Sequence, residues 1–340
     1  MSSNRTVGRR KTSSFFVGYL LDIMMYNNHR GPKERRGHQE GKKEERILPS
    51  VQVHDYAMER RLRQADPALH KRFTDAVFAL QYNLSRYRLI FPEYTDHSNL
   101  HCLDVIDFCN QLIGNQIDRL NADELYILLT ACYFHDTGMG ITMKDYREFS
   151  ERIDFGDYFK NHSREDISNI IRDFHHEFSG RFIQKYAELF EFPSAEHLWA
   201  IQMVSRGHRK TDLMDEHEYP LALQMPGGNR VCLPYLAALI RLADEIDVAA
   251  ERNPILLYDI EALTDEKQIM ENKKVKAVRS LQVTEKRFIL TVDTAEEEVL
   301  KQIGIMAEKM KRTLSECRAA VCGRTPYVIT QEDVLIQKAE

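Results

Sequence analysis

The chain has no C-x-x-C pair. Its six cysteines, Cys102, Cys109, Cys132, Cys232, Cys317 and Cys322, are scattered, and several sit within apolar helical patterns. That spacing predicts neither a zinc ribbon nor a disulfide framework, and suits reduced core thiols in a cytoplasmic protein. An apolar run of membrane-spanning length is also missing. Residues 15–26 are apolar and follow a basic start, but the run is short, is interrupted by Asp22 and lacks a small-residue cleavage site. No membrane partner is expected. Nor is there an excess of positive charge: the net charge is −5, so the surface as a whole does not advertise itself to nucleic acid or anionic lipid. Small phosphorylated ligands stay compatible with that balance.

What is present is 340 residues with 43% hydrophobic and 29% charged content, enough for a large core. Three segments are expected. Residues 1–50 read as a flexible basic tail, since basic residues outnumber acidic ones by eleven to five up to Arg46 and little after Asn27 can be buried. Residues 51–254 read as a helical domain, and 255–340 as a small α+β appendage, so the fold class is mainly α. Nucleic-acid binding through the tail is the weaker use of it, because no aromatic or repeat pattern runs through it.

Helical periodicity starts near Asp66-Pro67 and runs to about Ile90, where Phe91-Pro92 breaks it. A second helix follows, with His97 and His101 at its opening. Asn121 with Glu124 has the form of a capping box for a third, nearly all-apolar helix that ends in Phe134-His135-Asp136. Residues 144–153 suggest a short helix. Ser163 with Asp166 suggests a capped start for a helix carrying His175-His176-Glu177, and Ser194 caps one that leads to Gly207-His208-Arg209. Pro234 opens a strongly apolar helix into which Asp244 intrudes. The pattern then changes to a β-hairpin over 275–284 and 287–293, a long helix over 296–322, and one or two short strands at 327–329 and 334–336.

The third helix leaves almost no polar face, so its end should lie inside the protein, together with His135 and Asp136. A buried imidazole and carboxylate must be paired, hydrogen-bonded or bound to a metal. Gly138 and Gly140 let the backbone leave the helix and approach whatever the pair holds. The plain alternative is a helix ending in a solvated polar turn. Asp244 is harder to explain that way, although Arg241, three residues back, offers a structural ion pair. His162 and His197 read as surface or capping histidines. Tyr94, Tyr133, Phe134, Tyr146 and Phe149 are candidates for a pocket lining, with core packing as the simpler role.

Taken in order, His101, His135-Asp136, His176, His208 and Asp244 resemble the ligand series of the HD-domain metal-dependent phosphohydrolases. Tyr94-Thr95-Asp96-His97, the His-His-Glu segment and Arg241 to Asp247 are most similar to the HD-CE branch, whose members occur with or beside Hsp90-like ATPases. The resemblance implies a first metal on His101, His135, Asp136 and Asp244, and a second on Asp136, His176 and His208. His97 and His175 are the competitors for His101 and His176. It implies one or two divalent ions (Mn, Fe, Ni, Co or Zn, with Mg compatible), a water activated by metal, and a nucleotide or related small phosphate as substrate. Phosphoryl transfer also needs positive charge, for which Lys144, Arg209, Lys210 and Arg241 are the candidates, with Asp136 at the catalytic centre. An Hsp90-like ATPase and a second copy of the chain are the macromolecular partners compatible with this reading. A regulatory module with a structural metal is the competing use of the fold.

Overall fold

A computed structural model of the chain describes residues 56–84, 86, 89–90, 99–248 and 266–339. The basic N-terminal segment, the Phe91-Pro92 break, Tyr94, His97 and the stretch around Pro254 lie outside the described residues. Mainly α-helical structure with a small C-terminal sheet accounts for the rest.

Local chemistry starts the helices where it can be read. Between α1 (Ala57–Ala65) and α2 (Pro67–Leu84), the Asp66 carboxylate accepts from the N–H groups of Ala68 and Leu69 at 2.9 and 3.0 Å. Pro67 then fills the first helical position, where no N–H bond is needed. Helix α3 is Asn99–Ile113 and α4 is Ala122–Phe134. The capping box of α4 is present: the Asn121 side chain accepts from the Glu124 N–H and the Glu124 carboxylate from the Asn121 N–H, both at 3.1 Å. Helix α5 is Met143–Ser150. Helix α6 (Ile167–Lys185) differs from expectation at its start. Ser163 only accepts from Glu165, and the cap is Asp166, which holds both the backbone N–H and the side-chain amide of Asn169.

After the short α7 (Ala187–Phe190), Ser194 caps α8 (Ala195–Arg206) as expected. A two-residue hairpin, β1 (Leu223–Gln224) and β2 (Arg230–Val231), interrupts the loop before α9 (Leu233–Ile246). Helices α4 and α9 form the centre. Helix α4 packs against α1, α2, α3, α8 and α9, while α9 also meets α3, α8 and α11 (Glu297–Val321). Residues 123–134 of α4 are all buried, and so are residues 233–243 of α9. Each large apolar side chain among them contributes roughly 1.5–3 kcal/mol of burial free energy. The energetic consequence is also a geometric one, because the polar residues at the ends of these helices are carried inside.

The α+β segment packs on that centre through α11. Its hairpin forms with β3 (Val278–Val283) antiparallel to β4 (Arg287–Val292), but residues 275–277 close α10 (Glu266–Ala277) instead of opening β3. Strand β5 (Asp333–Lys338) is parallel to β4, and α11 supplies the crossover that a parallel pair requires. Residues 327–329 form no strand. The Tyr327 ring stacks on Tyr235 with centroids 4.1 Å apart, and its hydroxyl donates to the buried Glu124 carboxylate at 2.7 Å. An aromatic ring with a buried acceptor holds this stretch against the helical core and away from the sheet edge.

Candidate metal centre

Five separate elements bring titratable side chains to one place. His101 comes from the first turn of α3, His135 and Asp136 from the end of α4, and His175 from the middle of α6. His208 follows the end of α8, and Asp244 lies on α9. Helix α6 is fastened to the His135-Asp136 turn by Ser179, whose hydroxyl donates to the His135 carbonyl at 2.5 Å and accepts from the Gly138 N–H at 2.8 Å. Gly138 is required by this close approach. A Cβ there would stand 2.2 Å from the His175 carbonyl oxygen and 2.8 Å from the Ser179 nitrogen, both of them backbone atoms that cannot swing aside. Gly138→Ala should therefore push α6 off the turn, costing about 1–3 kcal/mol of stability and loosening any ion shared between them. Thermal unfolding and elemental analysis of the same preparation would check both effects; an unchanged midpoint would show that the contact is not tight.

The orientation of the rings is the telling feature. Nδ1 of His135 donates to the Cys132 carbonyl at 2.9 Å, Nδ1 of His175 to the Arg172 carbonyl at 2.6 Å, and Nδ1 of His208 to the Ser205 carbonyl at 2.5 Å. Each acceptor lies three residues back and can only accept. Nδ1 of His101 instead meets the Asp247 carboxylate at 2.6 Å. With the proton held on Nδ1, a neutral ring presents a lone pair at Nε2. These lone pairs face each other: Nε2 of His101 and His135 are 3.1 Å apart, and Nε2 of His175 and His208 are 2.8 Å apart. Two lone pairs at that distance repel unless a cation lies between them. Two nitrogens each about 2.1 Å from one ion, at right angles, would stand about 3 Å apart.

Asp136 joins the two pairs. Its Oδ2 is 3.5 Å from Nε2 of both His101 and His135, and its Oδ1 is 3.2 Å from His175 and 3.7 Å from His208. Asp244 adds a carboxylate to the first pair, with Oδ1 3.3 Å from His101 and 3.9 Å from His135. The two potential metal groups are thus His101, His135 and Asp136, and Asp136, His175 and His208. Their electrostatics agree with this use. Burial drives the imidazole of His175 well below its ordinary value, against the attraction of Asp136, and that of His208 down to about 4. Burial would raise Asp244, but its close contact with His101 and the nearby His208 and His135 outweigh it and hold the carboxyl well below its usual range. Neutral rings and ionised carboxylates are the forms a divalent ion needs. The six side chains fit a metal.

The position expected for His176 is taken by His175. One residue further along α6, the ring of His176 turns out of the cluster; its Nε2 lies 3.8 Å from Glu177, and its buried Nδ1 has no hydrogen-bond partner among the described residues. The expected cations are also distributed differently. Lys144 is exposed on α5, and Lys210 reaches the Asp173 carbonyl at 3.4 Å. Arg241 pairs with no carboxylate among the described residues. It donates to the Gly207 carbonyl at 2.7 Å and to the Thr211 carbonyl at 2.8 Å, bracing the loop that carries His208. Arg209 is half-buried, and its side chain makes no hydrogen bond or ion pair among the described residues. His197 is buried rather than at the surface, with Nε2 2.7 Å from Asp123, and it is a capping histidine: its backbone N–H donates to the Ser194 hydroxyl and its Nδ1 lies 2.9 Å from that oxygen; His162 is exposed. Tyr133 and Phe134 belong to the core, as does Phe149.

Sequence reading missed Asp247. It stands three residues after Asp244 at the end of α9, and that spacing was the available signal. A carboxylate on the distal nitrogen of a ligating histidine fixes the ring and raises its basicity. Asp247→Ala is therefore expected to weaken metal at the first position by about 10–100-fold, read from metal content after titration with a chelator; equal retention would remove Asp247 from this role.

The family model HD-CE matches residues 91–316, about two-thirds of the chain. The chain belongs to the HD-CE family. The HD-CE match contains all six converging residues and most of α11, so the α+β segment falls partly within it. No curated protein matches the chain. No helix among the described residues is long and apolar enough to cross a membrane. The HD-CE region is therefore an HD-type domain with a buried His/Asp cluster able to bind divalent metal.

Proposed function

We propose that this protein is a metal-dependent phosphohydrolase that cleaves a phosphoester or phosphoanhydride bond of a nucleotide or related small phosphate. The observation that carries the reading is the Asp136 carboxylate, which turns one oxygen to each histidine pair. A structural ion needs a single closed cage, whereas a carboxylate divided in this way would let one set of side chains hold two ions. When bound, such a pair of ions supplies Lewis-acid activation of water and neutralises charge at phosphorus. His101, His135, Asp136 and Asp244 would hold one ion, and Asp136, His175 and His208 the other.

The chain's own groups perform the remaining tasks. Asp247 holds His101, and Arg241 holds the His208 loop, so ligand positions are set before substrate arrives. Arg209, beside His208, supplies positive charge toward the phosphoryl oxygens. The Asp244 side chain keeps 22% exposure while the other five ligand candidates keep 5% or less. That edge supports the catalytic reading over a sealed structural site, because a catalytic centre must admit water and substrate.

The deciding experiment is elemental analysis of protein purified without chelator and without oxygen, followed by a screen of nucleotides and phosphodiesters with the metal found. Near two equivalents of a transition metal and turnover of a phosphate ester are expected. No metal, and no uptake of added Mn, Fe, Ni, Co or Zn, would overturn the proposal.

A further inference from the structure

A groove of ≈ 610 Å³ opens beside His208, between the loop after α8, helix α9 and helix α11. Arg209, Leu213 and Met214 line the loop side, while Lys309, Thr313 and Ala320 line the α11 side. Lys309 and Ala320 are eleven residues apart on one helix, so the groove follows α11 for about 16 Å. Its two ends can be told apart. Lys309 Nζ is 2.8 Å from the carboxylate of Glu245, the residue after Asp244, which makes this the end nearer the cluster. At the other end Arg324 touches both walls, with Nη1 3.0 Å from the Met214 sulfur and 3.1 Å from the Ala320 carbonyl.

The charges along the groove are not equivalent. Arg241 is committed to loop carbonyls, Lys210 to the Asp173 carbonyl, and Lys309 to Glu245. The groove is also lined by Asp212, Glu245 and Glu316, and Arg209, next to His208, is the lining cation without a side-chain hydrogen bond or ion pair among the described residues, though its charge is felt by Glu245. Arg209 can therefore draw an anion to the cluster end, and further along the exposed Met214 side chain, backed by the buried Leu213 and Ala320, offers an apolar surface. The volume lies within the roughly 300–1,000 Å³ of small-molecule sites.

We propose that this groove receives the non-reacting part of the substrate, a nucleoside-sized group, with its phosphate at Arg209 and its ring against Met214. The idea rests on the phosphohydrolase reading for the reacting end only. Thr313 supplies a hydroxyl to the polar body between the two ends. Helix α11 then becomes a wall of the substrate site, and the α+β segment acts as part of the specificity machinery.

The test is calorimetric binding of AMP, GMP, CMP, UMP and inorganic phosphate to the metal-loaded full chain. At least one nucleotide should bind about tenfold or more tightly than phosphate. Thr313→Trp, which fills the groove, should bring that ratio close to one. Lys309→Trp, at an exposed helix position that tolerates a large side chain, should narrow it from the other end. Metal content and thermal unfolding show whether each variant is folded. A wild type that prefers no nucleotide over phosphate, or folded variants that keep the full preference, would overturn the proposal. The two readings fail separately: groove-dependent nucleotide binding without hydrolysis removes the phosphohydrolase reading, and hydrolysis of small esters without nucleotide preference removes the groove.

Discussion

Asp136→Ala is expected to empty both metal positions at once, taking content from near two equivalents to well under one and lowering hydrolysis by about a thousand-fold or more. The reason lies in the division of its carboxylate. Oδ2 faces the His101 and His135 pair, and Oδ1 the His175 and His208 pair. Among the described residues the second group contains no other carboxylate, so its two neutral rings would be left to hold a divalent ion with only Asp244, near His208 but outside the group, to compensate its charge. The first group retains Asp244 but loses one of its two anions. Asp136→Asn is the control for packing, since it keeps the shape and removes the charge. Both variants should behave alike in metal content. Full stoichiometry with unchanged hydrolysis in either would sink the metal assignment.

His175→Ala should cost one equivalent and leave one, whereas His176→Ala should leave both. Both residues are buried on α6 and both are histidines, so composition does not separate them. Geometry does. His175 Nε2 is 2.8 Å from His208 and 3.2 Å from Asp136, while among the described residues His176 has no such neighbours and a buried Nδ1 without a partner. Removing His176 deletes packing but also an unsatisfied polar atom, so its stability cost should stay near 1–3 kcal/mol. Removing His175 should reduce turnover by about 10²–10³-fold, as loss of a group that stabilises developing charge does elsewhere. Elemental analysis of the two variants side by side reads the difference directly. One equivalent lost in His176→Ala and none in His175→Ala would reverse the assignment.

The same pair shows where sequence reasoning reaches its limit. The amino-acid sequence by itself determined that α4 is buried, because an apolar pattern on nearly every face leaves a helix nowhere to go but inside, and that Asp244 interrupts a strongly apolar run in α9. It determined the caps at Asn121 and Ser194, where a short polar side chain meets orphan N–H groups. It also placed His101, His135, Asp136, His208 and Asp244 at the ends or within the apolar faces of successive helices. Only the tertiary structure decided the rest. Successive residues on a helix point about 100° apart, and spacing cannot say how a helix is rotated about its axis. For α6 that rotation is set by contacts distant in sequence: Gly138 lying against the His175 carbonyl, and Ser179 bonded to the His135 turn. Asp247 reaches His101 across 146 residues, and α11 meets the groove because it packs on α9. Local patterns fix which groups are buried; the packing of distant segments fixes which of them face one another.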